Sequence, residues 1–132
     1  MARLIHTMLR VKDLETSIAF YRDAFDLDAV ERYEASDFIL VFLRNCGSEM
    51  EIELTYNKGR EEAYNVGDGF GHLAVSVDDL DAQHRRLTEM GLAPTDIVEM
   101  KDGDQVGARL CFVRDPDGYA IEVLDRIGRL AD

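Results

Sequence analysis

The sequence predicts an α+β fold built from two copies of one strand–helix–three-strand unit. Three observations carry this. Short runs of β-branched and aromatic residues alternate with polar ones, the pattern of strands covered on one side. Two stretches, opening after Asp13 and after Asp79, switch to helical spacing. The same residue types also recur at the same offsets in the two halves of the chain, the signature of an internal duplication.

In order, Arg3 to Val11 is a strand with Leu4, His6, Met8 and Arg10 on one face. Asp13 caps a helix over Leu14 to Phe25 whose apolar stripe is Leu14, Ile18, Tyr21 and Phe25. Ala29 to Tyr33 and Phe38 to Leu43 are strands, and Asn45-Cys46-Gly47-Ser48 turns the chain. Met50 to Tyr56 follows, with Met50, Ile52, Leu54 and Tyr56 on one face and Glu51, Glu53 and Thr55 on the other. The grammar then restarts. Gly71 to Val77 is a strand, Asp79 caps a helix over Leu80 to Met90 that Gly91 stops, and Ile97 to Met100, Arg109 to Arg114 and Tyr119 to Leu124 are strands. This divides the single domain 1–132 into a module 1–58 and a module 67–132, joined by a linker 59–66. The Gly67-Asp68-Gly69-Phe70-Gly71 stretch has no phosphate-binding Lys-Ser/Thr after it and reads as a hinge.

The bulk properties narrow the function classes. At 132 residues with 46% hydrophobic and 32% charged residues, the chain suits one globular domain. A net charge of −12 disfavours nucleic acid and anionic membranes as partners. No apolar run approaches a bilayer span and no secretory signal is visible, so a cytoplasmic location is expected, with Cys46 and Cys111 reduced. His84 and the Arg85-Arg86 pair read as surface and Cys111 as a core thiol.

Asp115-Pro116-Asp117-Gly118 is a turn by composition, and the strand after it carries Glu122 between Ala120 and Leu124 on a face expected to be buried. Such a carboxylate edges onto solvent, pairs with an Arg, takes up a proton, or binds a metal. The repeat bears on the choice. Val11, Asp13 and Leu14 stand to His6 as Val77, Asp79 and Leu80 stand to His72, and Ile52-Glu53-Leu54 answers Ile121-Glu122-Val123. Each half opens with a His on its first strand and closes with a Glu on its last. If the sheets of the modules face each other, His6, Glu53, His72 and Glu122 converge into an N/O donor set suited to Ni²⁺, Co²⁺, Zn²⁺ or Fe²⁺.

The chain resembles glyoxalase I (lactoylglutathione lyase) of the vicinal-oxygen-chelate superfamily. The resemblance rests on His6-Thr7-Met8-Leu9-Arg10-Val11, Ser17-Ile18-Ala19-Phe20-Tyr21, Ile52-Glu53-Leu54-Thr55-Tyr56-Asn57, Gly71-His72 and Asp115-Pro116-Asp117-Gly118-Tyr119 with Ile121-Glu122. It implies paired βαβββ modules whose mostly antiparallel sheets form a U around one divalent metal per site. It also implies a homodimer with sites at the subunit interface. His6 and Glu53 of one subunit and His72 and Glu122 of the other would be the ligands. The short chain is similar to the nickel/cobalt-activated branch, with Zn²⁺ possible.

The implied reaction isomerises the hemithioacetal of methylglyoxal and glutathione to S-lactoylglutathione, a detoxification. The metal polarises two adjacent substrate oxygens and a carboxylate moves a proton between neighbouring carbons. By match, Glu122 is the base, Glu53 serves the metal and the opposite face, and Arg10 and Asn57 hold glutathione. The chain departs from the family pattern at Lys58, where Trp is common, at Asp68, where some members have Arg, and at Ala108, where a Lys is usual. Lys101 and Arg109 are candidate substitutes for that Lys.

Rival readings are a methylmalonyl-CoA epimerase, which usually has Gln in place of Glu53, and an extradiol dioxygenase with a two-His, one-carboxylate triad. A metal-free binding protein of the bleomycin-resistance or fosmidomycin type is the rival from outside the enzymes. The full His, Glu, His, Glu set favours glyoxalase I.

Overall fold

In the computed structural model, which describes residues 1–131, the chain forms two units, Met1–Asn65 and Val66–Asp132. The first unit comprises β1 (His6–Arg10), α1 (Leu14–Phe25), β2 (Asp28–Glu34), β3 (Phe38–Arg44) and β4 (Glu51–Asn57). Its sheet has the order β1-β4-β3-β2, with β1 parallel to β4 and the other pairs antiparallel. The second unit repeats this with β5 (Leu73–Val77), α2 (Leu80–Glu89), β6 (Val98–Asp102), β7 (Gln105–Arg114) and β8 (Ala120–Asp125), in the order β5-β8-β7-β6. Again only the first pair, β5 and β8, is parallel. A parallel pair needs a crossover, and the helix of each unit supplies it. Two four-stranded mixed sheets with one helix each are the α+β architecture that the duplication predicts.

Both helix starts follow the sequence. Asp13 and Asp79 are extended, and their carboxylates accept from the N–H groups of Thr16 and Ala82, each at 3.0 Å. At the other end of α1, Asp26 turns left-handed at φ 55° and returns its N–H to the Arg22 carbonyl. The buried stripe of α1 differs from expectation. Leu14, Ser17, Phe20, Tyr21 and Ala24 are buried, whereas Ile18 and Phe25 are half-buried. Small Ser17 and Ala24 let the helix lie close to the sheet, a steric gain that hydropathy does not register.

Side-chain alternation divides each sheet into two faces. In the first, Leu9, Ile39, Val41, Leu43, Ile52 and Leu54 join the buried residues of α1 in a core. In the second, Cys111, Val113, Ile121 and Val123 do so with Leu80 and Leu87 of α2. The other face of each sheet is left more open, and it is there that His6, Met8 and Arg10 project.

Several boundaries are corrected. β1 begins at His6 rather than Arg3, and β5 begins at Leu73, so His72 immediately precedes its strand instead of lying on it. β7 is longer than expected, starting at Gln105, and β6 runs to Asp102, because a turn at Asp102–Gln105 closes a hairpin that polar residues disguised. Glu122 was expected on a buried face. Its face is the more open one, since the core face is that of Tyr119, Ile121 and Val123, and the Glu122 side chain keeps 18% of its exposure.

Candidate metal centre

The register of the strands places each His–Glu pair. In the first unit Met8 pairs with Glu53 on β4, and Glu53 pairs with Phe42 on β3. His6, two residues before Met8, shares its face, so its imidazole meets the Glu53 carboxylate on a diagonal. Nε2 of His6 lies 4.0 Å from Oε2 of Glu53. The second unit copies this. Ala74 pairs with Glu122, Glu122 with Phe112, and His72, two residues before Ala74, has Nε2 3.6 Å from Oε1 of Glu122. The sequence-predicted ligands are thus brought together within each unit.

The separations discriminate between uses of these pairs. At 3.6 and 4.0 Å the groups are too far apart to share a hydrogen bond. They are close enough to bind one ion through two bonds of about 2.1 Å each. Imidazole nitrogen and carboxylate oxygen are the donors that borderline divalent ions take. The residues therefore fit a divalent metal. Among the described residues no three His, Cys, Asp or Glu side chains form a group able to hold a metal ion, so what each unit presents is a pair.

Other expected site residues fall on or near the same face. Arg10 pairs with Thr55 one row along from Glu53, and Leu40 lies opposite Thr55. The Thr55 hydroxyl is the one buried side-chain oxygen or nitrogen without a hydrogen-bond partner among the described residues. Asn57 ends β4 and donates its amide N–H to the Tyr64 hydroxyl at 3.0 Å.

One departure from the family pattern, Lys58, and one candidate substitute, Arg109, now have structural roles. Lys58 binds Glu34 at 3.2 Å and the Ala35 carbonyl at 2.8 Å, fastening the β2–β3 turn. Arg109 cannot replace the missing Lys. It donates to Asp125 at 2.7 Å and Asp81 at 3.2 Å, and hydrogen bonding to Asp125, then to Asp81, raises its pKa further. Asp125 in turn accepts from the Leu80 N–H, so this cluster ties β8 to the start of α2.

The sequence reading missed Phe42 and Phe112. Each stands opposite a candidate ligand carboxylate and meets a candidate ligand imidazole edge to face. The signal was available, since Val41-Phe42-Leu43-Arg44 answers Cys111-Phe112-Val113-Arg114, but a repeat followed only through the first and last strands passes over it. Among the described residues His84 makes no bond to either pair and instead reaches Thr95, the residue bonded to the Phe112 backbone. Its Nε2 lies 2.9 Å from the Thr95 carbonyl.

Residues 3–123 match the family model of the Glyoxalase/Bleomycin resistance protein/Dioxygenase superfamily. The chain belongs to this superfamily. Among superfamily members it is 40% identical over 129 residues to a lactoylglutathione lyase of Salmonella typhimurium, covering 93% of this chain and 92% of that one. It is 38% identical over 127 residues to a probable lactoylglutathione lyase of Synechocystis, covering 92% and 93%. Among solved structures it is similar to a variant of glyoxalase I from Zea mays, with a TM-score of 0.80 and 30% identity over 92% of this chain. It spans 44% of that maize chain. It is also similar to the trypanothione-dependent glyoxalase I of Leishmania major, with a TM-score of 0.75 and 30% identity, covering 95% of this chain and 87% of that one. Among the described residues no helix is long and apolar enough to cross a membrane.

Proposed function

We propose that the protein is a metal-dependent lactoylglutathione lyase that isomerises the hemithioacetal of methylglyoxal and a thiol. The observation that carries this is the recurrence of one His–Glu pair at one register in both units, 4.0 and 3.6 Å apart, in a chain whose relatives carry that name. His6, Glu53, His72 and Glu122 would hold one divalent ion per site, Ni²⁺ or Co²⁺ ahead of Zn²⁺. Since each unit offers two donors, a homodimer that joins the pair of one subunit to the pair of another completes a four-donor set, with sites at the subunit interface.

When bound, the ion supplies Lewis acidity to the two adjacent oxygens of the substrate. Glu122, the less exposed member of its pair but still open to the sheet's uncovered face, takes the proton from the carbon bearing sulfur and returns it to the neighbouring carbon. No atom is gained or lost, as an isomerisation requires. Glu53 occupies the equivalent place toward the opposite face of the substrate. Arg10 and Asn57 hold the carboxylates and amides of the thiol cosubstrate. Glutathione is that thiol in this reading; Asp68 and Ala108 stand where the family pattern has Arg and Lys, and Arg109 is tied to Asp125 and Asp81, so fewer cations are left for it than that pattern supplies. The activity is cytoplasmic.

The test is to strip the protein with a chelator, reload it with Ni²⁺, Co²⁺ or Zn²⁺, and follow S-lactoylglutathione formation spectrophotometrically. Activity that returns with one of these ions and depends on glutathione supports the reading. Activity with other thiols alone corrects the cosubstrate, and a protein that binds no divalent ion stoichiometrically overturns the enzyme.

A further inference from the structure

Metal-ligating imidazoles are ordinarily aimed by a hydrogen bond from the ring nitrogen that does not bind the metal. Neither His6 nor His72 makes such a bond among the described residues, and their side chains are 34% and 41% exposed. Each does make one ring contact. Phe42 meets His6 edge to face with centroids 5.8 Å apart and planes at 72°, and Phe112 meets His72 at 5.3 Å and 77°. The two phenylalanines hold equivalent positions, each directly across the ladder from the carboxylate of the pair.

The phenylalanines are themselves held. Phe42 lies mid-strand, paired on one side with Glu53 and on the other with Glu31. The ladder between β6 and β7 ends at Val98 and Leu110, short of Phe112. There Thr95 takes over: its hydroxyl accepts the Phe112 N–H at 2.8 Å and its own N–H donates to the Phe112 carbonyl at 2.9 Å. Two different devices thus deliver the same ring to the same place, which packing of the cores does not require, because Phe42 and Phe112 lie on the faces away from α1 and α2.

We propose that Phe42 and Phe112 are positioning residues that hold the His6 and His72 imidazoles in the rotamers that ligate the ion. The ring contact takes the place of the missing hydrogen bond. Its effect is to pre-pay rotamer ordering, so losing it weakens metal binding without removing a donor. This rests on His6 and His72 being ligands, as in the proposed function.

The test uses the full chain with Co²⁺ as probe. The Co²⁺ dissociation constant is measured by competition with a chromophoric chelator, and the visible d–d spectrum is recorded on the loaded protein. Phe42→Leu and Phe112→Leu should each weaken binding about two- to tenfold, from the size of an aromatic edge contact, and change the d–d bands. Phe42→Tyr and Phe112→Tyr, which keep the ring, should match the parent protein. If a leucine variant does not fold, Phe42→Met or Phe112→Met fills the volume without a ring and gives the same readout. Folded ring-less variants with parental affinity and spectrum overturn the proposal while leaving the ligands in place. A parent protein that takes up no Co²⁺ overturns the ligand assignment, and the proposal with it.

Discussion

Replacing Asp115 by alanine tests how the turn before β8 is held. Asp115 is 5% exposed, and its Oδ1 accepts from the Asp117 N–H and the Tyr119 N–H, each at 2.9 Å. Its backbone closes the same turn, donating to the Tyr119 carbonyl and accepting from Gly118, both at 3.0 Å, while Gly118 sits at φ 89°. Alanine deletes both bonds to the carboxylate. The Tyr119 N–H is buried and would be left unsatisfied, which costs about 1–3 kcal/mol. The Asp117 N–H is only partly buried and water can replace its partner, so the second loss is nearer ~1 kcal/mol. The sum is about 2–4 kcal/mol. Asp115→Asn keeps an acceptor oxygen and should lose about 1 kcal/mol, the charge-assisted part. The assay is urea unfolding at fixed protein concentration, read at unchanged slope. A loss below about 0.5 kcal/mol for alanine, or an asparagine variant as damaged as alanine, would refute the assignment of that oxygen as the clasp of the turn.

Other outcomes follow from single contacts. Glu122→Gln should leave the fold intact, because the change is isosteric and the side chain is partly exposed, while lowering kcat by roughly 10²–10⁴; near-parental turnover in the metal-loaded variant removes Glu122 as the base. Thr55→Val removes a buried hydroxyl with no partner among the described residues and should raise stability by about 1 kcal/mol in urea unfolding, and a decrease would mean the hydroxyl is bonded. A disulfide-exchange reagent should modify exposed Cys46 quickly and buried Cys111 only on unfolding, since burial raises the Cys111 pKa above 9.0; two fast thiols would contradict this. The Asp13 carboxyl is held below its ordinary 3.8 by the Thr16 N–H, so its contribution is present above that value and is lost as pH falls through the lower folded one. The melting temperature of Asp13→Ala should therefore trail the parent at neutral pH and converge with it in strong acid, and a gap that persists there would rule out the charged cap.

Much of the fold was legible because it rests on local chemistry written twice. Asp13 and Asp79 cap helices through their own side chains, and the alternation of Phe38 to Leu43 and of Tyr119 to Leu124 reports which residues turn inward. The ligand candidates were legible for a related reason: His6, Glu53, His72 and Glu122 recur at matched places, and a duplicated polar residue beside an apolar strand is hard to explain by packing alone. The hairpin between β6 and β7 was not legible, because Lys101 to Gln105 carries no apolar alternation and is ordered by pairing with its neighbour.

The sequence by itself determined the element order, the duplication and the identity of the four candidate ligands. Only the tertiary structure decided which face of each sheet is open, that Ser17 and Ala24 rather than Ile18 and Phe25 seat α1, that Arg109 is spent on Asp125 and Asp81, and that Phe42 and Phe112 lie against the imidazoles. The physical reason is the range of the interactions. Caps, turns and alternation act over a few residues and leave their mark in the chain, whereas strand register and ion pairing join residues far apart in sequence and exist only once the sheets have formed.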